Sequence, residues 1–249
     1  MQREKNLKNI FIIGDSHGEQ ASLMLEKIIP KNRYNYGFVY PEDWDTEKDL
    51  PKILWGFGGT ENAYYLKKVI KNIEKDDLLV IAFHRGRYNT KGNVKSHIPL
   101  NKQLTLDKRG QRSVNTIFEI AQLVNSKKAN LLLLKDTPLL QENVRKVSIC
   151  DTWRKLNIDD CSISYNQDLH TRTYQDLVFD NVKQLSFKKG FKVFIWDPFD
   201  YFYRDKKEFS DLDSNGLRIM RDQDHLSRYG IDLVGKDLKQ FLLDTKLIN

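Results

Sequence analysis

The stretch Asn9-Ile10-Phe11-Ile12-Ile13-Gly14-Asp15-Ser16-His17 sets the architecture of this chain. A compact apolar run stops at a glycine, and Ala21, Met24, Leu25, Ile28 and Ile29 follow at helical spacing, which reads as strand, tight turn, helix. Working outward, Tyr34 to Tyr40 reads as a second strand closed by Pro41, and Leu78 to Phe83 as a continuous apolar run of the kind buried on both faces of a parallel sheet. Asn130 to Leu134 and Lys192 to Trp196 supply two more strands, each stopped by an Asp-containing segment that includes proline. Between them, Glu61 to Glu74, Gln111 to Ser126, Thr171 to Lys189 and about Ser227 to Asp244 read as helices, the last with Val234, Leu238, Phe241 and Leu242 on one stripe. From Leu139 to Leu169 the signals are mixed, with short helical pieces around the cysteines. The alternation predicts right-handed crossovers and a three-layer α/β/α fold around a parallel sheet of about five strands. Ligands of such sheets bind beyond the carboxyl ends of the strands, where Ser16, the Arg85 loop and the Pro198 loop all fall.

The 249 residues suit one core, and nothing in the composition marks a break between domains. With 40% hydrophobic and 30% charged residues, the chain reads as a soluble globular protein. No apolar run approaches the roughly 20 residues that span a bilayer, so no transmembrane segment is expected. The charged start Met1-Gln2-Arg3-Glu4-Lys5-Asn6 leads straight into a strand without the features of a secretory signal, which predicts a cytoplasmic chain, or a periplasmic or cell-surface one if it is a fragment of a longer membrane protein. The net charge of +7 is spread along the whole length with acidic residues interleaved. Nucleic acid is therefore not an expected partner, since neither a basic stripe nor a binding motif is present, whereas an anionic glycan or a membrane surface suits a basic face. Cys150 and Cys161 lie in a loop-like segment and are compatible both with a disulfide and with two buried thiols. Their spacing and neighbours do not make a zinc site.

Two motifs carry chemistry. Ser16 ends the first strand-turn, and Asp222-Gln223-Asp224-His225-Leu226 lies near the other end of the chain. A serine hydroxyl is a weak nucleophile until an imidazole takes its proton and a carboxylate fixes the imidazole's tautomer. Each residue also has a plainer reading. Ser16 with Glu19 three positions on matches a helix capping box, and Asp224 reads as a helix-start residue. Asp222, three positions before His225, is spaced to fold its carboxylate back onto the ring. Gly58 and Gly59 suit either a turn with positive φ or an amide offered to an anion, and Arg85, Arg87 and Asn89 suit either a solvated loop or donors to developing negative charge. His17, His84, His97 and His170 read as surface or structural residues, although His17 adjoins Ser16 and His84 follows a strand.

Gly14-Asp15-Ser16-His17 and Asp222-Gln223-Asp224-His225-Leu226-Ser227 together resemble the first and last blocks of the SGNH (GDSL-like) hydrolase superfamily. The variant with histidine after the serine is similar to the domain associated with membrane-bound sugar O-acyltransferases. The resemblance implies a flavodoxin-like sheet, with Ser16 as nucleophile, His225 as general base and Asp222 as the residue that orients it. It also implies an oxyanion hole built from the serine amide, a second-block glycine and a third-block asparagine. Here Gly58 or Gly59 stands for the second block. No Gly-x-Asn-Asp follows Leu78 to Phe83, so Arg85 or Asn89 stands for the third.

The expected activity is acyl transfer, usually of acetyl, onto carbohydrate hydroxyls through an acyl-serine, without metal or organic cofactor. The expected partners are an acyl donor and a carbohydrate acceptor, and the resemblance implies a membrane acyltransferase as a further partner. A carbohydrate esterase with the same triad and a non-catalytic glycan-binding module that keeps the fold are the alternatives. A phosphate cradle is excluded because neither a Gly-x-Gly-x-x-Gly nor a Walker loop occurs.

Overall fold

The computed structural model describes residues 7–39, 69–88, 105–140, 147–157, 161–203 and 207–248. Its main sheet contains β1 (Lys8–Gly14), β2 (Tyr34–Val39), β3 (Leu78–Ala82), β4 (Asn130–Leu134) and β6 (Phe194–Trp196). A separate antiparallel pair joins β5 (Ile163–Ser164) to β7 (Glu208–Phe209). All pairings in the main sheet are parallel, and the order β2-β1-β3-β4-β6 is the doubly wound, flavodoxin-like arrangement. Alternation explains why its central strands are apolar throughout. Ile10 and Ile12, Leu78, Val80 and Ala82, and Leu132 and Leu134 enter one buried cluster, while Leu79, Ile81, Phe83, Leu131 and Leu133 enter another.

Helices cover both faces. The first cluster is closed by α1 (Ser16–Ile28), through Ala21, Met24 and Leu25, and by the carboxyl-terminal helix Arg228–Asp244, through Ile231, Val234, Leu238 and Leu242. The second is closed by α2 (Lys108–Ser126), through Val114, Ile117, Ile120 and Val124, and by Tyr165–Lys188, through Val178, Phe179 and Val182. Numbered in chain order after α2, the remaining helices are α3 (Ser148–Lys155), α4 (Tyr165–Lys188), α5 (Phe199–Tyr203) and α6 (Arg228–Asp244). Each fully buried Leu, Ile or Phe contributes about 1.5–3 kcal/mol relative to exposure, so these two layers supply most of the driving force for the fold. Among the described residues no helix is long and apolar enough to cross a membrane.

The five strand positions match the sequence expectation closely, and two details differ. The long helix α4 begins at Tyr165 rather than Thr171, started by a capping box in which Ser164 accepts the Gln167 amide and the Gln167 side chain bonds back to the Ser164 amide. Its first turns bury Asp168, Arg172 and Gln175 instead of apolar residues, so no hydrophobic stripe announces them. The small β5/β7 pair is two residues long on each side and leaves no period to read. The helix expected over Glu61 to Glu74 lies mostly outside the described residues, of which 69–72 are helical. Cys150 and Cys161 form a disulfide with Cα atoms 5.5 Å apart, both sulfurs buried, which resolves the two readings of the cysteines in favour of pairing.

Candidate active site

In a doubly wound sheet the order reverses between β1 and β3, and the crevice for a ligand opens beyond their carboxyl ends. Gly14 of β1 pairs there with Ala82 of β3. A Cβ on Gly14 would overlap the Ala82 carbonyl oxygen and come within 2.6 Å of Gly18 Cα, so only glycine lets the chain turn here into α1. Asp15 takes the N-cap of α1 and accepts the His17 amide at 3.0 Å. The same carboxylate accepts the His84 amide at 3.2 Å and Arg87 Nε at 3.3 Å, which ties the turn after β1 to the turn after β3. Capping is thus the work of Asp15, and the Ser16 hydroxyl is released from it. The Ser16-Glu19 capping box does not form as the sequence spacing suggests; Glu19 donates its amide to the Asp15 carbonyl at 3.0 Å.

The other half of the site comes from the loop before α6. Ile219 and Ser227 are joined by a 2.8 Å backbone bond, and Arg221 donates to the His225 carbonyl at 2.7 Å. A Cβ on Gly230 would collide with the Ile219 carbonyl, so the first turn of α6 packs against this loop through a bare backbone. Two bonds then lock the loop to the rest of the molecule: the Leu226 amide donates to Gln20 Oε1 of α1 at 2.6 Å, and Leu140 donates to the Gln223 carbonyl at 2.8 Å. Gln20 sits one turn after Ser16, so the helix that carries the hydroxyl also holds the loop that carries the imidazole.

Ser16, His225 and Asp222 meet across 209 residues of sequence. Ser16 Oγ lies 2.8 Å from His225 Nε2, and His225 Nδ1 lies 2.8 Å from Asp222 Oδ1. Asp222 Oδ1 also accepts the His225 amide at 2.9 Å and the Asp224 amide at 3.2 Å, so one oxygen shapes the loop and orients the ring together. Burial alone lowers the pKa of His225, but the bonds to Asp222 and Asp224 outweigh it and push it up to about 9. Asp222 is held below the usual carboxylate range, because the His225 bond overcomes the effect of burial.

Other expected residues fall differently. Arg85 is 1% exposed and its guanidinium is turned into the protein. Nε lies 3.4 Å from Asp136, one terminal nitrogen is 2.6 Å from both Asp168 and Thr171, and the other meets the Thr137 carbonyl. A buried guanidinium with this set of partners is an anchor between β3, β4 and α4, so Arg85 does not fit the expected role of oxyanion donor. Gly58, Gly59 and Asn89 lie outside the described residues.

The sequence reading missed a second layer. His17, read as structural, is buried with Nδ1 2.6 Å from Asp136, and its ring centroid is 4.9 Å from those of both His84 and His225. Asp224, read as a helix start, places Oδ1 3.1 Å from His225 Nδ1. Burial lowers the His17 pKa, but Asp136 raises it further, up to about 10. The signal available was topological: His84 follows β3 and Asp136 follows β4, both at the edge where Ser16 follows β1.

The profile of the SGNH domain family, described as the SGNH domain fused to AT3 domains, matches residues 2–240, and the chain belongs to that family. Protein YXIM of Bacillus subtilis is similar in fold, with a TM-score of 0.54 and 13% identity over 96% of this chain. This chain spans 57% of the length of that protein. A GDSL-like lipase from Bacteroides thetaiotaomicron is similar with a TM-score of 0.52 and 13% identity, covering 98% of this chain and 92% of the other. Comparison with curated protein sequences finds no match. Membership of the SGNH domain family implies an esterase or acyltransferase type of enzyme.

Proposed function

We propose that the chain is one catalytic domain that transfers acyl groups onto carbohydrate hydroxyls through an acyl-serine, with Ser16 as nucleophile, His225 as general base and Asp222 as the orienting carboxylate. The observation that carries this reading is the unbroken run from Ser16 Oγ through both nitrogens of His225 to Asp222, with 2.8 Å at each step. Ser16 Oγ bonds to the carbonyl carbon of an ester donor while its proton passes to His225 Nε2. The bond to the leaving alcohol then breaks, and His225 returns the proton to that oxygen. In the second half an acceptor hydroxyl gives its proton to His225 and bonds to the acyl carbon, and Ser16 leaves with the proton restored. The Ser16 amide, at the start of α1 where backbone donors are free of helical partners, suits the oxyanion. Gly58 or Gly59 and Asn89 are the proposed further donors.

The family's fusion to AT3 domains supports a membrane acyltransferase as the source of acyl groups. The Cys150–Cys161 disulfide supports an oxidising compartment, at the cell surface or in a periplasm. Water in place of the sugar makes the same site a carbohydrate esterase. Turnover of a chromogenic acetyl ester in the presence of glycan separates the readings: acylated glycan marks transfer, and free acetate alone marks hydrolysis. Loss of both in Ser16→Ala is expected, and equal rates in the wild-type and Ser16→Ala proteins would refute a serine enzyme of either kind.

A further inference from the structure

Beside the triad, three polar atoms from separate elements converge without touching. His17 Nε2, from the start of α1, is 3.6 Å from Asp224 Oδ2, and His84 Nε2, from the turn after β3, is 3.7 Å from the same oxygen. All three lie within 4.8 Å of one another. A direct N–H···O bond is about 2.9 Å long, so these separations, though within ion-pair range, are too great for a direct hydrogen bond. They are the separations left when one oxygen atom bridges the corners. An oxygen about 2.8 Å from each corner sits slightly above the plane of such a triangle.

The outer bonds of the rings define what that oxygen must be. His17 Nδ1 faces Asp136 Oδ1 at 2.6 Å, and the imidazole is held cationic, so Nε2 carries a second N–H. This Nε2 is buried with no hydrogen-bond partner among the described residues, in a ring that is 7% exposed. His84 Nδ1 accepts the Gly86 amide at 3.2 Å. Burial keeps that ring neutral by lowering its pKa, so its one proton resides on Nε2. Asp224 is ionised, because the positive charge of His17 and the contact with His225 at 3.1 Å overcome the effect of burial. The corners are therefore two N–H donors and one carboxylate acceptor. An alcohol oxygen, which accepts two hydrogen bonds and donates one, complements all three. A metal cation does not: His84 would have to move its proton to Nδ1, against the Gly86 N–H, to offer a lone pair.

We propose that His17, His84 and Asp224 form a subsite for a hydroxyl of the carbohydrate acceptor, one beside the hydroxyl that reacts. The proposal rests on the acyl-transfer reading above and names how that site recognises a sugar. The bound hydroxyl is distinct from the reacting one because Asp224 Oδ1 lies 3.1 Å from His225 Nδ1, whereas proton transfer to and from Ser16 runs through Nε2 on the other edge of the ring. The Asp224 and His84 side chains, 32% and 22% exposed, leave the subsite open to solvent over a floor made by His17. An acceptor with two hydroxyls near each other thus gains a contact that a simple alcohol lacks.

The test is NMR of the imidazole nitrogens in ¹⁵N-histidine-labelled Ser16→Ala protein, titrated with the methyl glycosides of glucose, galactose and mannose. At least one glycoside is expected to shift the Nε2–H signals of His17 and His84 together and saturably. Adding His84→Leu is expected to weaken that glycoside about tenfold, the equivalent of one lost hydrogen bond, and His84→Gln, which keeps an N–H donor, to restore most of it. Unmoved signals with all three glycosides mean that the subsite holds water only and overturn the proposal. So do signals that move with Zn²⁺ and not with any glycoside, or glycoside binding indifferent to His84→Leu. Because the titration uses the Ser16→Ala protein, its failure is separate from failure of the acyl-serine reading, which Ser16→Ala turnover decides.

Discussion

In the acyl-serine reaction proposed above, His225 has to be neutral to take a proton from Ser16, yet Asp222 and Asp224 together push its pKa up to about 9. The rate of acyl-serine formation is therefore expected to fall about tenfold per pH unit below pH 9, which a pH profile of kcat/KM reads directly. The two carboxylates contribute unequally. Asp222 orients the ring through its 2.8 Å bond and shapes the loop, while Asp224 sits 3.1 Å away and divides itself between His225 and His17. Asp222→Asn is expected to lower kcat by on the order of 10⁴-fold, against about 10⁶ for Ser16→Ala. Asp224→Asn is expected to cost less and to move the acid limb of the profile to lower pH, because one of the two groups raising the His225 pKa is gone. If Asp224→Asn abolishes turnover and Asp222→Asn leaves it intact, the orienting carboxylate is Asp224. The approach of Ser16, His225 and Asp222 to one another could be expected from the sequence because each lies in a short motif with its own spacing. His84 and Asp136 were not legible there, since each is a lone residue whose neighbours in space are distant in sequence.

At the level of elements, the turn after β1 and the loop before α6 are held in register by bonds that have nothing to do with chemistry. Gln20→Ala removes the acceptor of the Leu226 amide and is expected to lower stability by about 1–3 kcal/mol. It is also expected to lower kcat, measured at a temperature where the variant is fully folded, because the loop that carries His225 loses its tie to α1. Arg85→Met removes the buried guanidinium shared by Asp136 and Asp168 and is expected to cost about 3–5 kcal/mol in chemical denaturation. The apolar strands were readable because burial on both faces leaves an uninterrupted run, and the period of α6 because one face is apolar. The first turns of α4 were not, because their buried face is Asp168, Arg172 and Gln175, polar residues that bond across to other elements: Asp168 to Arg85 and Tyr203, Arg172 to Asp197 and Gln175 to the Asp136 amide.

For the molecule as a whole, charge placement at the site sets a pH window of stability. The His17 pKa is raised from 6.5 to about 10, so the stability it contributes is complete below pH 6.5 and is lost as pH rises toward 10. Asp136 and Asp224 are held below their ordinary value of 3.8, so what they contribute is present above that pH and is lost as pH falls below it. Thermal unfolding is expected to show a plateau of Tm between about pH 4 and 6.5 with a decline on either side, and His17→Gln to flatten the alkaline decline. An unchanged alkaline limb in that variant would contradict a charged His17. The order β2-β1-β3-β4-β6 gathers His17, His84 and Asp136 around Ser16 at one sheet edge, where the alternation of strands and helices placed Ser16 and the Arg85 loop but singled out neither His84 nor Asp136. The most direct measurement of the central claim is mass spectrometry of the protein after reaction with an active-site fluorophosphonate. A single adduct on Ser16, lost in His225→Ala, is the predicted result; an adduct on another residue, or none in a protein that turns over ester, would contradict it.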